Sequence, residues 1–212
     1  MIKSYARKNG IPILFEILFI VSCFVVPKEY FIYTNCLFYV CLFVYFIVKK
    51  DLELTGWFSS FTSGKKYWKQ VGWTLLGLIL AYGITIALEN SFPNLDAGNI
   101  GLRIDSWLTL GLFFISTILL PAVTEETFFR KNMILLQSKK AIVITMTISM
   151  LLYAIEHSLS WWGILLTMIW AIPLSIAHVT TKNIYVVMTA HFIGNLLGNG
   201  MDVAVTAIRL MH

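Results

Sequence analysis

Charged residues are scarce in this sequence. They make up 13% of its 212 residues, whereas a soluble domain carries roughly 25%. Hydrophobic residues make up 58%, so the chain cannot cover a water-facing surface with polar groups. The low charge excludes an ordinary cytosolic enzyme, and the apolar majority excludes a disordered chain. The composition therefore predicts an all-α, polytopic transmembrane bundle, because lipid accommodates exposed apolar side chains and demands internally bonded backbone.

Cysteines are also few. There are three of them, Cys23, Cys36 and Cys41, and all lie inside apolar runs. A secreted disulfide scaffold is excluded, and the three are predicted to be small core or lipid-facing residues. The net charge of +5 would suggest nucleic-acid binding in a soluble protein. Here the basic residues form short clusters between apolar runs, which predicts a lipid bilayer and no nucleic acid as partner.

Long apolar runs predict about seven membrane spans. They cover residues 11–27, 30–48, 71–88, 107–136, 141–154, 161–177 and 183–208.

Residues 51–70 mix aromatic residues with lysines, which is typical of a segment lying at the membrane interface. We expect residues 1–70 to contribute two spans and this interfacial segment. Residues 71–212 would form a catalytic-type membrane core, integrated with the N-terminal part in one domain.

Lysine and arginine positions predict the orientation. With the N-terminus inside, twelve of the sixteen basic residues lie in inner segments and three in outer ones. Inner loops of membrane proteins are enriched in such residues. The sequence therefore predicts a multi-pass protein of the cell membrane with a cytoplasmic N-terminus. The sixteenth basic residue, Arg130, lies within an apolar run.

The fourth span contains three charged residues, Glu125, Glu126 and Arg130. Its apolar character continues to Leu136, which favours one long helix, bent near Pro121, with the charges inside it. Glu126 and Arg130 are four residues apart, so they share a helix face and are predicted to form an ion pair. Glu125 points about 100° away around the helix, towards a cavity.

Polar groups recur in later spans, where charged and polar residues usually mark function. His157 lies just after the fifth span, and the seventh contains His191 and Asn195 on one face. A buried carboxylate is a good base for water, and imidazole and amide groups can stabilise an oxyanion. The chain has no serine-nucleophile elbow and no HExxH motif, so attack by water is the simplest chemistry.

At these residues the sequence resembles the CPBP or Abi family, the CAAX-processing and bacteriocin-processing intramembrane endopeptidases. The resemblance rests on Glu125-Glu126-x-x-x-Arg130, then Tyr153-x-x-x-His157, then His191-x-x-x-Asn195, in that order. It covers roughly residues 70–210. The family usually has Phe where Tyr153 stands, and either ring can pack beside the histidine.

The resemblance implies roles for these residues. Glu125 would activate water with help from His157, and His191 and Asn195 would stabilise the oxyanion. Glu126 would act with them and, with Arg130, hold the site's geometry. The cofactor would be either none or Zn²⁺ on Glu125, His157 and His191.

The implied substrate is a peptide or a lipid-anchored peptide, in bacteriocin or pheromone processing or in self-immunity. The sequence does not indicate an oligomeric state.

Other readings of the same residues stay open. Glu126 and Arg130 could be a purely structural pair, the two histidines could be core residues, and Asn195 could join helices. A non-catalytic membrane protein could use the same fold for binding or immunity. A small transporter is disfavoured because the chain has no inverted repeat.

Overall fold

The protein is described here by a computed structural model that covers residues 2–212, with side chains from Lys8 onward. Nine α-helices occur in this range. They are α1 Ile2–Val25, α2 Phe31–Val48, α3 Leu54–Ser60, α4 Lys65–Ser91, α5 Trp107–Phe114, α6 Leu120–Glu125, α7 Lys139–His157, α8 Trp161–Thr181 and α9 Ile184–Met211. Two π-helical segments, Ile115–Leu119 and Glu126–Asn132, join with α5 and α6 in one helical run.

The fold class predicted from composition is confirmed. Within residues 2–212 there is no β-strand, and six helical segments are long and apolar enough to cross a membrane. The seventh predicted span corresponds to α9, which is not among these six. It is long enough to cross a membrane, but it is less apolar because it contains His191, Asn195 and Asn199. Large apolar side chains such as Phe24 and Val48, each 72% exposed, face outward, as lipid-contacting residues do.

The long helix of the fourth span ends earlier than predicted. Its charged residues do lie within the helix, but the helix stops at Asn132 and not at Leu136. Met133 and Ile134 are buried in the turn that follows, 1% and 4% exposed. Their apolar character therefore reflects burial in protein, which the sequence pattern cannot distinguish from a continuing membrane helix.

Two compact units make up the chain. The first comprises residues 1–53, 101–125 and 192–212. Within it α1 packs on α2, with the rings of Phe19 and Phe38 stacked at 4.7 Å between centroids.

Two asparagine side chains in this unit bind the π-helical segment Ile115–Leu119. Asn35 of α2 donates to the Ser116 hydroxyl over 3.0 Å, and Asn199 of α9 donates to the Thr117 carbonyl over 3.1 Å.

The second unit comprises residues 54–100 and 126–191. Its helices α4 and α8 approach closely at Gly77, where an added Cβ would lie 2.8 Å from the Cβ of Pro173. The Trp170 indole donates to the Thr85 hydroxyl over 3.1 Å, one side chain from each helix. Glycine is required at position 77 because this close contact leaves no room for a side chain.

Part of the predicted interfacial segment is buried in protein. Trp57 of α3 and Tyr67 of α4 are 7% and 3% exposed. The Trp57 indole donates to the Thr189 hydroxyl over 2.8 Å, and the Tyr67 hydroxyl lies 2.5 Å from the same oxygen. Phe58 and Trp68 are exposed, at 57% and 44%. Trp57 and Tyr67 thus fix α3 and α4 against α9, and only the exposed rings suit a membrane-anchoring role.

Candidate active site

The candidate site begins in the π-helical segment Glu126–Asn132. A π-helix closes its bonds from residue i to i+5 and is rare outside single turns, which often occur at functional sites. The segment is almost wholly buried, and Glu126 and Arg130 are both 0% exposed. Two charged side chains fully removed from water must be compensated by partners within the protein.

Glu126 has a cationic or hydrogen-bonding partner on each carboxylate oxygen. The Arg130 Nε lies 3.4 Å from Oε2, which confirms the ion pair predicted from the spacing of four residues. His191 Nδ1 lies 2.7 Å from Oε1, so the imidazole N–H donates to the carboxylate. The second contact joins α9 to the π-helical segment and was not predicted by the sequence.

Arg130 is also held by aromatic rings. Its guanidinium carbon lies 4.4 Å from the centroid of Tyr153 and 5.9 Å from that of Phe129. Such contacts stabilise a cation more strongly when water is excluded. Tyr153 also lies 4.4 Å, centroid to centroid, from the ring of His157, as the family resemblance implied. The aromatic residue therefore connects the arginine with the histidine.

His157 is the last residue of α7 and is half-buried. Its Nδ1 lies 2.8 Å from the Tyr153 carbonyl oxygen. Because a carbonyl can only accept, Nδ1 carries the hydrogen, and Nε2 is the basic nitrogen of the neutral ring. This contact fixes both the tautomer and the ring orientation.

Glu125 belongs to the first unit and is 1% exposed. Its Oε1 accepts a hydrogen bond from the hydroxyl of Tyr39, a buried residue of α2, over 2.5 Å. Asn195 is half-buried and follows His191 by one turn of α9. Tyr39 was not identified from the sequence, because nothing in an apolar run distinguishes this tyrosine from the others.

His178 of α8 is a further residue that the sequence did not single out for the site. It lies near the end of its helix and is 6% exposed. It interacts electrostatically with both Glu126 and Arg130. The second unit therefore brings together one acidic residue, one basic residue and two histidines from three helical segments. They are Glu126, Arg130, His178 and His191.

The comparisons with known proteins agree with the motifs. The model of the family described as "Type II CAAX prenyl endopeptidase Rce1-like" matches residues 107–197. The matched range contains Glu125, Glu126, Arg130, Tyr153, His157, His191 and Asn195. Neither the curated proteins nor the solved structures contain a significant match to the chain. The match over residues 107–197 agrees with the resemblance to the CPBP or Abi family.

Proposed function

We propose that this multi-pass membrane protein is an intramembrane endopeptidase, because residues 107–197 match the model of the Rce1-like family of endopeptidases. It hydrolyses peptide bonds by attack of an activated water. The observation that carries the proposal is Glu126, fully buried between the Arg130 guanidinium and the His191 imidazole. A charged carboxylate held this way inside a membrane protein is costly, and such groups usually mark a functional site.

In the proposed reaction Glu125 is the general base. It takes one proton from water while the water oxygen attacks the carbonyl carbon of the scissile bond, with His157 aiding the activation. His191, as the imidazolium that donates Nδ1–H to Glu126 and Nε2–H to the substrate, and Asn195 donate hydrogen bonds to the oxyanion that forms. Collapse of the tetrahedral intermediate breaks the C–N bond, and the proton held by Glu125 passes to the leaving amine.

Glu126 and Arg130 support this chemistry indirectly. The Glu126 carboxylate accepts from His191 Nδ1 and thereby fixes the ring, so that its other nitrogen faces a defined direction. Arg130 compensates the negative charge of Glu126. The proposed role of this pair is to hold His191 in place as an oxyanion donor.

Zinc is compatible with the same donors. Histidines that ligate zinc usually donate Nδ1–H to a carboxylate or a carbonyl, and His191 and His157 both do so. We propose Glu125, His157 and His191 as the residues that would hold the ion. A bound Zn²⁺ would supply Lewis-acid activation of the water.

The proposed substrate is a membrane-associated peptide, free or lipid-anchored. The matched family is described by its action on CAAX prenyl substrates, and processing of a bacteriocin or a pheromone peptide would use the same chemistry. We further propose that the protein lies in the cell membrane with its N-terminus in the cytoplasm, as the distribution of basic residues favours.

The proposal can be tested by incubating purified protein in liposomes with two peptides that end in a CAAX sequence. One peptide is farnesylated at its cysteine and the other is not. We expect wild-type protein to release the C-terminal fragment of at least one peptide, detected by mass spectrometry. His191→Ala should abolish the release, because an oxyanion donor is lost.

The matched control for this experiment is Thr180→Val, a change at an exposed position of α8. It should cleave like wild type. Peptide binding without cleavage by folded wild-type protein would contradict the proposal and favour a non-catalytic binding or immunity protein. Inhibition by o-phenanthroline that added Zn²⁺ reverses would establish a metal requirement.

A further inference from the structure

Glu125 has a partner outside the region that the family model matches. The hydroxyl of Tyr39, on α2, donates to Glu125 Oε1 over 2.5 Å. Both residues lie in the first unit, and both are almost fully buried, at 5% and 1% exposed. The family match begins at residue 107, so this contact depends on a part of the chain to which the comparisons assign nothing.

The acceptor of this hydrogen bond is a carboxylate. Hydrogen bonds from a hydroxyl to a charged acceptor are about twice as strong as neutral ones. The Tyr39 hydroxyl therefore compensates part of the negative charge on a carboxylate that is almost fully buried. The Tyr39 phenol carries no positive charge. It therefore stabilises the carboxylate through the hydrogen bond and not through an ion pair.

Orientation is the second consequence of the contact. The terminal torsion of a glutamate side chain is broad and is not fixed by rotamer preference. A donor on Oε1 removes this freedom, since rotation of the carboxylate would break the hydrogen bond. A general base must be held within hydrogen-bond reach of the proton that it removes.

We propose that Tyr39 is the positioning residue of the catalytic carboxylate Glu125. It does not touch the substrate, and it acts by fixing the orientation of Glu125 and stabilising its charge. This inference rests on the proposed function, because it requires Glu125 to be the base. It also makes α2 part of the machinery, although the recognisable motifs all lie from residue 125 onward.

Tyr39→Phe tests the proposal because it removes only the hydroxyl. The ring also packs edge-on against Phe38, with centroids 5.0 Å apart, and phenylalanine retains this packing. We expect kcat to fall by about 10–100-fold, the range seen when partners that orient reactive groups are removed. KM should stay within about twofold of wild type, because substrate contacts are unchanged.

Tyr45→Phe is the matched control. Tyr45 lies on the same helix and packs edge-on against Phe15. Its change to phenylalanine also removes one hydroxyl. It should retain the wild-type kcat and KM, and both variants should unfold at the wild-type temperature in detergent.

The outcomes distinguish this inference from the proposed function. If wild-type protein cleaves no peptide, the proposed function fails and the role of Tyr39 fails with it. If wild type cleaves and Tyr39→Phe cleaves with the same kcat, the proposed function stands and the role of Tyr39 is overturned. A lower kcat together with a higher KM and a lower unfolding temperature would show a structural role. That result would also overturn the role of Tyr39.

Discussion

Glu126 places a negative charge in a part of the second unit that water does not reach, and Arg130 compensates it. The guanidinium is itself buried, 3.4 Å from the carboxylate and 4.4 Å from the centre of the Tyr153 ring. Neither charge is favourable alone, since the desolvation of each is costly. At the scale of single residues, therefore, the site is a mutually dependent set in which removal of one partner leaves another uncompensated.

Arg130→Met should destabilise the protein by about 3–5 kcal/mol, because it leaves the Glu126 charge buried without its cation. The free energy of unfolding, measured by denaturant titration in detergent, reports this loss. Changing both residues, Glu126→Gln with Arg130→Met, should cost less than Arg130→Met alone, since no charge then stays uncompensated. The matched control Lys131→Met, at the exposed neighbouring position, should change stability little. Equal losses for the single and double variants would contradict the interpretation.

Local spacing made part of this residue set predictable. The Glu126–Arg130 pair follows from a spacing of four residues on one helix, whereas Tyr153 beside His157 was implied by the family resemblance. The contact of His191 with Glu126 does not, because 65 residues separate the two and only the packing of α9 brings them together. Tyr39 escaped prediction for the same reason.

Two π-helical segments shape the helical run Trp107–Asn132 at the scale of elements. Hydropathy predicted the run and its internal charges, but it did not predict the wider turns or the end at Asn132. Both depend on the partners that surround the helix. Ser149 of α7, for example, donates its hydroxyl to the Phe129 carbonyl inside the second π-helical segment over 2.5 Å.

The contact of α4 with α8 gives a prediction at this scale. Gly77→Ala should destabilise the protein by about 1–3 kcal/mol, because the new methyl group would overlap the rigid ring of Pro173. Gly83, on the same helix, has open space where its Cβ would lie. Gly83→Ala should be neutral or stabilising by up to about 1 kcal/mol, since alanine favours a helix.

Thermal or detergent unfolding of the two alanine variants, side by side, measures this difference. The comparison cancels the intrinsic helix propensity, which is the same for both changes. Equal stabilities would mean that α4 and α8 can separate at Gly77 without cost, contrary to the close packing seen between them.

At the scale of the whole molecule, composition alone predicted the class correctly. The scarcity of charge identified a helical membrane protein, and six of the predicted spans are helices that can cross a membrane. The seventh, α9, carries His191 and Asn195, so the polar residues that suit a site also lower the apolar character by which spans are recognised. The orientation predicted from lysines and arginines, and the division at residue 70, stay predictions.

Function follows from a few polar residues rather than from the apolar majority. Helix packing alone would not need a buried Glu126 bound by both Arg130 and His191, or a buried Glu125 bound by Tyr39. Together with the family match over residues 107–197, these contacts support a water-activating peptidase as the central claim.

The peptide-cleavage rate of Glu125→Gln in liposomes tests that claim most directly. Glutamine keeps the shape of the side chain and removes the base, so the rate should fall by about 10²–10⁴-fold. Glu16→Gln, the same change at another buried glutamate of a spanning helix, should cleave at the wild-type rate. Wild-type cleavage by folded Glu125→Gln protein would contradict the account, because water activation could not then depend on this carboxylate.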